Sequence, residues 1–284
     1  MSRLRLMSNN QWNNTPNRPA WEEQGLDCSA EARMKHFAKI FGELLPDVVG
    51  GQEINKDMQP LLMLSCREAG LPYTMLWGHF TPIFYRADKL ELLDTEYVLY
   101  PKQIEGFAGG FNDAKSKSLH VAIFRTKEDG KIFLFATTHL WWRSSIPDSK
   151  YYQEGSDEAR TYQMKLATEV IAKHRAKYGN CPAVLVGDMN APLTAPAIQY
   201  ALQEAGYVHA HDAATEYANE NRGYNACGPN GPGSEWQDLP YPTAIDHILV
   251  KGLPEGAIRR FDRYMTEEYL YLSDHAPVYV DVEL

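Results

Sequence analysis

The sequence has no long apolar run. No window approaches about 18 consecutive apolar residues, the length that a membrane-spanning helix needs, so no such helix is predicted. Residues 1–12 (MSRLRLMSNNQW) turn polar without the apolar stretch of a signal peptide, which favours a cytoplasmic location. Secretion is the alternative, because removal of an export signal would leave the same sequence.

Cysteine is scarce as well. The four cysteines, Cys28, Cys66, Cys181 and Cys227, are scattered along the chain and form no C-x-x-C pair. This spacing argues against a disulfide framework and against a structural zinc site, and it favours a reducing compartment.

Basic residues are outnumbered by acidic ones. The chain has 28 Lys and Arg against 37 Asp and Glu, a formal net charge of −9. Tight binding to duplex nucleic acid usually depends on a basic surface that displaces counterions from phosphates. The charge therefore disfavours a dedicated nucleic-acid-binding module. It does not exclude a nuclease, because a bound metal ion adds positive charge that this count omits.

Strand-like and helix-like segments alternate along the whole chain. Strands are predicted at residues 3–8, 47–54, 73–77, 82–86, 92–100, 119–125, 131–140, 183–190, 244–250 and 275–284, and helices at 32–45, 57–69 and 157–177. No internal repeat, low-complexity tract or linker divides these segments. The pattern alone predicts an α/β fold with a mixed sheet and one domain, residues 1–284.

Two segments, residues 101–118 and 218–243, are rich in Gly, Asn and Pro and fit neither pattern. Loops of this length inside a compact domain are usually functional or disordered. Because strands nearby end in polar residues, we interpret both segments as substrate-binding loops. Asn225, in the second loop, is a candidate substrate-binding residue.

Polar clusters stand at the ends of the predicted strands, where a core strand ordinarily ends in turn residues. They are Asn9-Asn10, Gln52-Glu53, Thr138-His139, Asp188-Met189-Asn190, and Asp246-His247 with Ser273-Asp274-His275. Hard oxygen ligands such as these hold magnesium or manganese. A carboxylate can take a proton from water, and imidazoles or amides can stabilise charge on phosphate oxygens. Together the clusters supply the groups that phosphoester hydrolysis needs.

The motif order resembles that of a known superfamily. S-N-N, G-Q-E, T-H-L, G-D-M-N, I-D-H-I and S-D-H, spread over residues 8–275, are similar to the motif series of the endonuclease/exonuclease/phosphatase superfamily. That superfamily includes pancreatic-type deoxyribonucleases, abasic-site endonucleases, deadenylases, neutral sphingomyelinases and inositol polyphosphate 5-phosphatases. The resemblance implies a four-layer α/β sandwich, with two mixed, mainly antiparallel sheets packed face to face and helices outside. It also implies direct in-line attack of water on phosphorus.

The resemblance further implies metal-site and phosphate-site roles for the motif residues. Glu53 would be the principal ligand of Mg²⁺ or Mn²⁺, with Asn10 and Asp274 completing the metal site. His139 would contact the phosphate and its developing charge. Asp188 would orient or deprotonate the attacking water, with the amide of Asn190 beside it.

The last two motifs imply a carboxylate–imidazole pair. Asp246 would bind His275, fix its tautomer and support its positive charge. Whether Asp188 or a histidine is the base stays open. His247 is predicted to lie on the opposite face of its strand from Asp246 and to be structural.

Three departures from the family pattern concern substrate recognition. Trp12 stands where some members have a carboxylate, and Lys117 lies about where related sequences often have an arginine. Trp141-Trp142-Arg143 replaces a polar Asp-His pair found in many relatives. We take Lys117, Trp141, Trp142 and Arg143 as substrate-binding candidates. The alternatives are core packing for the tryptophans and solvated charges for Lys117 and Arg143.

Three functions follow from these observations. A phosphodiesterase or phosphatase for a small molecule or a lipid headgroup is favoured by the acidic charge and the aromatic loop. A metal-dependent nuclease is the alternative, although no basic tract is evident. A noncatalytic binding protein on the same fold is disfavoured, because no catalytic position that we can place is lost. We expect a monomer.

Overall fold

Alternating strands and helices build the protein, as the sequence pattern predicts. The computed structural model describes residues 2–13, 23, 25, 27–216, 244–264, 266 and 272–284. Within them the strands are β1 (Arg3–Asn10), β2 (Val48–Gln52), β3 (Tyr73–Leu76), β4 (Ile83–Arg86), β5 (Leu90–Leu99), β6 (Ser118–Thr126), β7 (Ile132–His139), β8 (Ala183–Asp188), β9 (Val208–His209), β10 (Asp246–Lys251), β11 (Ile258–Arg263) and β12 (Val278–Glu283). The helices there are α1 (Ala30–Leu44), α2 (Met58–Glu68), α3 (Ser156–Lys177), α4 (Pro196–Gln203) and α5 (Ala210–Ala213).

These strands form two sheets, with the orders β11-β12-β1-β2-β4-β3 and β5-β6-β7-β8-β10-β9 in the described part of the chain. Each sheet contains a parallel pair, β1 with β2 and β7 with β8, and the other pairings are antiparallel. Parallel strands end side by side, so Asn10 lies beside Gln52 and His139 beside Asp188. The register of β10 sets Asp246 opposite Asp188. The polar strand ends therefore meet at one end of each sheet.

Three apolar clusters hold four layers together. Successive strand residues face opposite sides of a sheet, so Leu6 and Val48 pack against the other sheet while Met7 and Val49 pack against helices. Burying one such side chain stabilises the fold by about 1.5–3 kcal/mol. The order helix, sheet, sheet, helix confirms the predicted α/β sandwich. Further members are Phe135, Val186 and Val280 between the sheets, Phe37, Phe41 and Leu62 from α1 and α2, and Met164, Ile171 and Ile198 from α3 and α4.

Gly50 in β2 lets the two sheets come close beneath the polar strand ends. A Cβ at this position would lie 2.6 Å from Thr137 Cβ and 2.7 Å from Val186 Cγ2, both in the other sheet. Beside this contact, Gln52 Nε2 donates a hydrogen bond to Thr137 Oγ1 at 2.8 Å. The close approach and the polar link fix the spacing of the sheets where the site forms.

Some elements were missing from the sequence prediction. Strand β11 has only two apolar residues, Ile258 and Phe261, and a register shift near Ile258 breaks their alternation. Helix α4 has eight residues, too few for a clear helical period, and β9 and α5 are shorter still. The predicted loop at 218–243 lies outside the described residues, whereas residues 101–117 are described and form neither helix nor strand. Among the described helices, none is long and apolar enough to cross a membrane.

Candidate active site

Side chains from both sheets converge where the parallel pairs end. Glu53 directly follows β2, His139 ends β7, and Asp188 ends β8. One carboxylate oxygen of Glu53, one ring nitrogen of His139 and one carboxylate oxygen of Asp188 all lie within 4.8 Å of one another. Glu53 has a φ of 57°, a left-handed conformation that is costly for a residue with a side chain and that clusters at functional sites.

Asn10 joins the carboxylates of the two sheets. Its Nδ2 donates to Asp188 Oδ2 at 3.0 Å and to Glu53 Oε1 at 3.4 Å, while its Oδ1 accepts from Trp12 N at 2.9 Å. The oxygen that a metal ligand would need is thus engaged by the backbone. Asn10 therefore lies beside the candidate metal group as a hydrogen-bond donor, and its part in the metal site stays a prediction.

Asn13 adds a second amide, which the sequence analysis did not single out. Its Nδ2 donates to Glu53 Oε2 at 2.8 Å, and its backbone N donates to the same oxygen at 3.3 Å. The available signal was a third asparagine three residues after Asn10. These bonds hold the Glu53 carboxylate in place without using its other oxygen.

Asp188 is the centre of the cluster. It is 2% exposed, and burial raises the pKa of its carboxyl to about 7, against the opposing effect of the nearby His275. Asn190 N donates to Asp188 Oδ1 at 2.9 Å, and Asn190 Nδ2 donates to Leu140 O at 3.1 Å. A buried carboxyl that changes protonation near neutral pH suits proton exchange with water. A bound divalent cation would add a local charge that lowers this pKa.

The predicted contact between Asp246 and His275 is present. His275 Nδ1 donates to Asp246 Oδ2 at 2.7 Å, which leaves Nε2 on the side of Asp188, 3.8 Å from Oδ2. Burial alone would lower the pKa of His275, but the carboxylates of Asp246, Asp188 and Asp274 together raise it well above its usual value. The imidazole therefore carries a positive charge that can stabilise negative phosphate oxygens.

Asp274 lies at the margin of the site. Its Oδ1 is 4.0 Å from His275 Nε2, and the side chain is one-quarter exposed. Neither set of potential metal-binding atoms among the described residues includes it. Its predicted part in the metal site, directly or through water, stays a prediction.

Lys117 is buried against His139, which excludes the solvated-charge alternative for this lysine. Its Nζ lies 2.7 Å from His139 Nε2. Burial lowers the pKa of Lys117, while the carboxylates of Glu53 and Asp188 raise it. Burial and the neighbouring cations also hold the pKa of His139 well below its usual value, so the ring is neutral and its Nε2 accepts from the ammonium. The 3.4 Å approach of His139 to Asp188 is therefore not an ion pair.

Asn112 fixes the loop that carries Lys117. Its Nδ2 donates to the carbonyl oxygens of Tyr100 and Lys117 at 2.7 and 2.8 Å, and Lys117 N donates to its Oδ1 at 3.1 Å. The sequence pointed to the loop as functional but not to this residue. The three bonds close residues 101–117 at the start of β6 and hold the lysine backbone there.

The tryptophan pair divides into one buried and one partly exposed ring. Trp141 is 3% exposed, its ring lies 5.9 Å from that of Phe111, and its backbone N donates to Gln163 Oε1. This burial favours the core-packing alternative for Trp141, and its substrate-binding role stays a prediction. Trp142 is 36% exposed, and the exposed Arg143 guanidinium lies 5.2 Å from its ring centre. Their substrate-binding roles stay predictions.

His247 is structural, as predicted. It is fully buried, its Nε2 lies 2.8 Å from Ala191 O, and its Nδ1 lies 2.9 Å from His209 Nε2. Burial lowers the pKa of both histidines, so they pack as neutral rings. The candidate Asn225 lies outside the described residues.

The donor set around Glu53 fits a divalent cation that prefers oxygen. Mg²⁺ is usually held by one or two carboxylates together with water and substrate phosphate oxygens, and Glu53 and Asp188 supply two carboxylates. A second set, Asp188 with Asp246 and His275, is less suitable because Asp246 and His275 already bind each other. The first set is therefore the candidate metal centre.

Comparison with known proteins agrees with this geometry. Residues 24–275 match the Endonuclease/Exonuclease/phosphatase family. Similar solved structures include an endonuclease/exonuclease/phosphatase from Bacteroides vulgatus, with 21% identity, a TM-score of 0.74 and 100% of both chains covered. A mannosyl-6-phosphatase from Bacteroides thetaiotaomicron has 20% sequence identity and a TM-score of 0.70, with 99% of this chain and 100% of that chain covered. D. rerio TDP2 in complex with a single-strand DNA product has 17% sequence identity and a TM-score of 0.64, with 100% of both chains covered. At these identities the likeness shows the fold, and comparison with curated proteins gives no match.

Proposed function

Because this chain belongs to the endonuclease/exonuclease/phosphatase family, whose members hydrolyse phosphoester bonds, we propose that it acts on a small-molecule or lipid-headgroup phosphoester with Mg²⁺ or Mn²⁺. The observation that carries the proposal is the meeting of Glu53, His139 and Asp188 within 4.8 Å. The carboxylates of Glu53 and Asp188 would hold the cation, and His139 beside them would contact the phosphate. When bound, the cation neutralises charge on nonbridging phosphate oxygens and assists the leaving group.

The remaining groups of the site act either on the attacking water or on the phosphate. Asp188 orients the attacking water and receives its proton, since it is a buried carboxylate at the end of β8 that Asn190 N holds in place. His275, charged and fixed by Asp246, and Lys117, beside His139, face the phosphate and stabilise its developing charge. Attack by water in a single step needs no covalent nucleophile, and no G-x-S-x-G motif is present in the sequence.

Charge and likeness support a small substrate over nucleic acid. The chain carries a net charge of −9, whereas affinity for nucleic acid depends on neutralising many phosphates. One structural neighbour is a mannosyl-6-phosphatase, a precedent on this fold for a small phosphoester. The neighbour with a single-strand DNA product supports a nuclease as the second candidate.

A substrate panel tests the proposed function. The purified protein is offered p-nitrophenyl phosphate, bis-p-nitrophenyl phosphate, mannose 6-phosphate, phosphocholine and a single-stranded DNA oligonucleotide, each with Mg²⁺, Mn²⁺ or EDTA. We expect hydrolysis of at least one small ester with Mg²⁺ or Mn²⁺ and none with EDTA, because the carboxylates act through the cation. Faster cleavage of the oligonucleotide, by kcat/KM, would select the nuclease instead. Activity that persists in EDTA would contradict the metal requirement.

Trp142 is expected to contact the part of the substrate beyond the phosphate. It lies three residues after His139, and its Nε1 donates to Asp113 Oδ2 at 2.9 Å. A stacked group contributes about 1–3 kcal/mol, so Trp142→Ala should lower kcat/KM for the best substrate by roughly 5- to 150-fold. Hydrolysis of p-nitrophenyl phosphate should change much less, since that ester offers little beyond the phosphate.

Trp141→Ala is the matched control for this change. The buried Trp141 ring packs against Phe111, so its loss should lower the melting temperature and reduce activity on all substrates alike. Equal losses on both substrates for Trp142→Ala, together with a lower melting temperature, would contradict the recognition role.

A further inference from the structure

A buried arginine of α1 connects two chain segments of the site. Arg33 is 1% exposed. Its Nη2 donates to the carbonyl oxygens of Gln11 and Trp12, the latter at 2.7 Å. Its Nε and Nη2 also donate to Leu272 O, at 3.0 and 2.6 Å. One guanidinium thus ties the residues after β1 to the residues before β12.

The first segment sets the orientation of the Asn10 amide. Trp12, which has a φ of 49°, donates its backbone N–H to Asn10 Oδ1. This bond leaves Asn10 Nδ2 to donate to Asp188 and Glu53. Because Arg33 binds two carbonyl oxygens of the same turn, it holds the turn that orients the amide.

The second segment carries His275. Ser273 Oγ donates to Asn10 O at 2.7 Å and accepts from His275 N at 3.1 Å, so one hydroxyl joins both segments. The carbonyl that Arg33 binds belongs to Leu272, the residue directly before this serine. The Arg33 guanidinium and the Ser273 hydroxyl therefore connect the same two segments, through the adjacent residues Leu272 and Ser273.

The charge of Arg33 stands on a helix face that otherwise packs in the apolar core. Position 33 lies on the buried face of α1, four residues before Phe37, and its guanidinium carbon is 5.9 Å from that ring centre. Burying a cation is costly unless it is hydrogen-bonded, so a charge at this position depends on the bonds that it makes. What an apolar side chain would not supply is the set of donors for three carbonyl oxygens from two segments.

We propose that Arg33 is a positioning residue of the hydrolase, one that holds the Asn10 amide and the His275 imidazole in their positions relative to each other. The inference rests on the proposed function, because positioning matters for turnover only if this site hydrolyses phosphoesters. Small displacements of reacting groups reduce rates strongly, by about 10²-fold for about 1 Å. Arg33 touches no reacting atom and acts through the backbone of residues 11–12 and 272.

The test compares Arg33 with Arg175, a second arginine that binds carbonyl oxygens. Arg175 Nε donates to Cys181 O at 2.8 Å and its Nη2 to Asn180 O at 3.2 Å, next to the start of β8 and away from Asp188 at its end. Arg33→Met should lower kcat by about 10²-fold with a smaller change in KM. Arg33→Lys should recover part of the rate, since an ammonium still has donors for these carbonyl oxygens. Arg175→Met should lower the melting temperature and leave kcat unchanged.

A readout without substrate separates this inference from the proposed function. In protein labelled with ¹⁵N-histidine, the proton between His275 Nδ1 and Asp246 gives a low-field resonance, assigned by its loss in His275→Gln. This resonance should shift or broaden in Arg33→Met and stay unchanged in Arg175→Met. If the wild type hydrolyses no ester, the proposed function fails, and the resonance alone then tests whether Arg33 positions His275. An unchanged resonance in Arg33→Met, or in Arg33→Gln if the first variant does not fold, overturns the proposal whatever the rate.

Discussion

Replacing Asp188 with Asn is expected to lower kcat by about 10²–10⁴-fold, the range for removing a positioned acid or base. The amide oxygen of the variant can still accept the bond from Asn190 N, so the turn after β8 should persist. What disappears is the negative charge, which both a cation and the proton of water require. The change is measured as kcat on the best substrate, with the melting temperature as a check on folding.

Asp262→Asn is the matched control for Asp188→Asn. Asp262 is also buried, and its Oδ2 accepts bonds from Arg260 Nη2 at 2.7 Å and from Tyr279 OH at 2.9 Å. Its loss should reduce stability without a large effect on kcat, because none of these contacts belongs to the candidate active site. If Asp188→Asn kept a rate close to that of the wild type, Asp188 would have no part in activating water.

Replacing Glu53 with Gln should weaken Mn²⁺ binding by at least about 100-fold. Residues that merely support metal ligands cost about 10–100-fold when they are removed, and Glu53 supplies a charged ligand itself. The fold should survive, because Glu53 follows β2 and is only partly buried. Calorimetric titration with Mn²⁺ measures the affinity.

Glu43→Gln provides the control for Glu53→Gln. Glu43 is a partly exposed carboxylate of α1 whose Oε2 accepts from Tyr264 OH, and its replacement should leave Mn²⁺ affinity unchanged. Unchanged affinity in Glu53→Gln would reassign the cation to the set formed by Asp188, Asp246 and His275. Loss of affinity in both variants would indicate general electrostatic attraction in place of a defined site.

Much of the site could be predicted because its residues occupy strand ends. Buried strands are evident from apolar runs, and a polar residue directly after such a run must lie at the end of the sheet. This reasoning placed Glu53, His139 and Asp188 correctly before any geometry was known. The contact of Asp246 with His275 came from the resemblance to the family, since the two residues lie 29 positions apart in the sequence.

Other features depend on contacts that no local pattern records. The two tryptophans are adjacent in sequence, yet Trp141 packs against Phe111 from another loop and Trp142 does not. Lys117 is buried because its side chain lies against His139 of β7, so its environment is set by tertiary structure. Arg33 lies on an apolar helix face, and only the arrangement of both ends of the chain shows what its donors reach.

The division of the candidate metal centre between two sheets has a consequence for folding. Glu53 follows a strand of the first sheet, and Asp188 ends a strand of the second. A chain in which only one sheet has formed therefore offers one of the two carboxylates. An ion that needs both binds only after the sheets have packed, so it stabilises the complete native state and not its partly folded forms. Binding of the cation at the candidate metal centre would then slow the separation of the two sheets. A saturating concentration of the cation would make unfolding more cooperative.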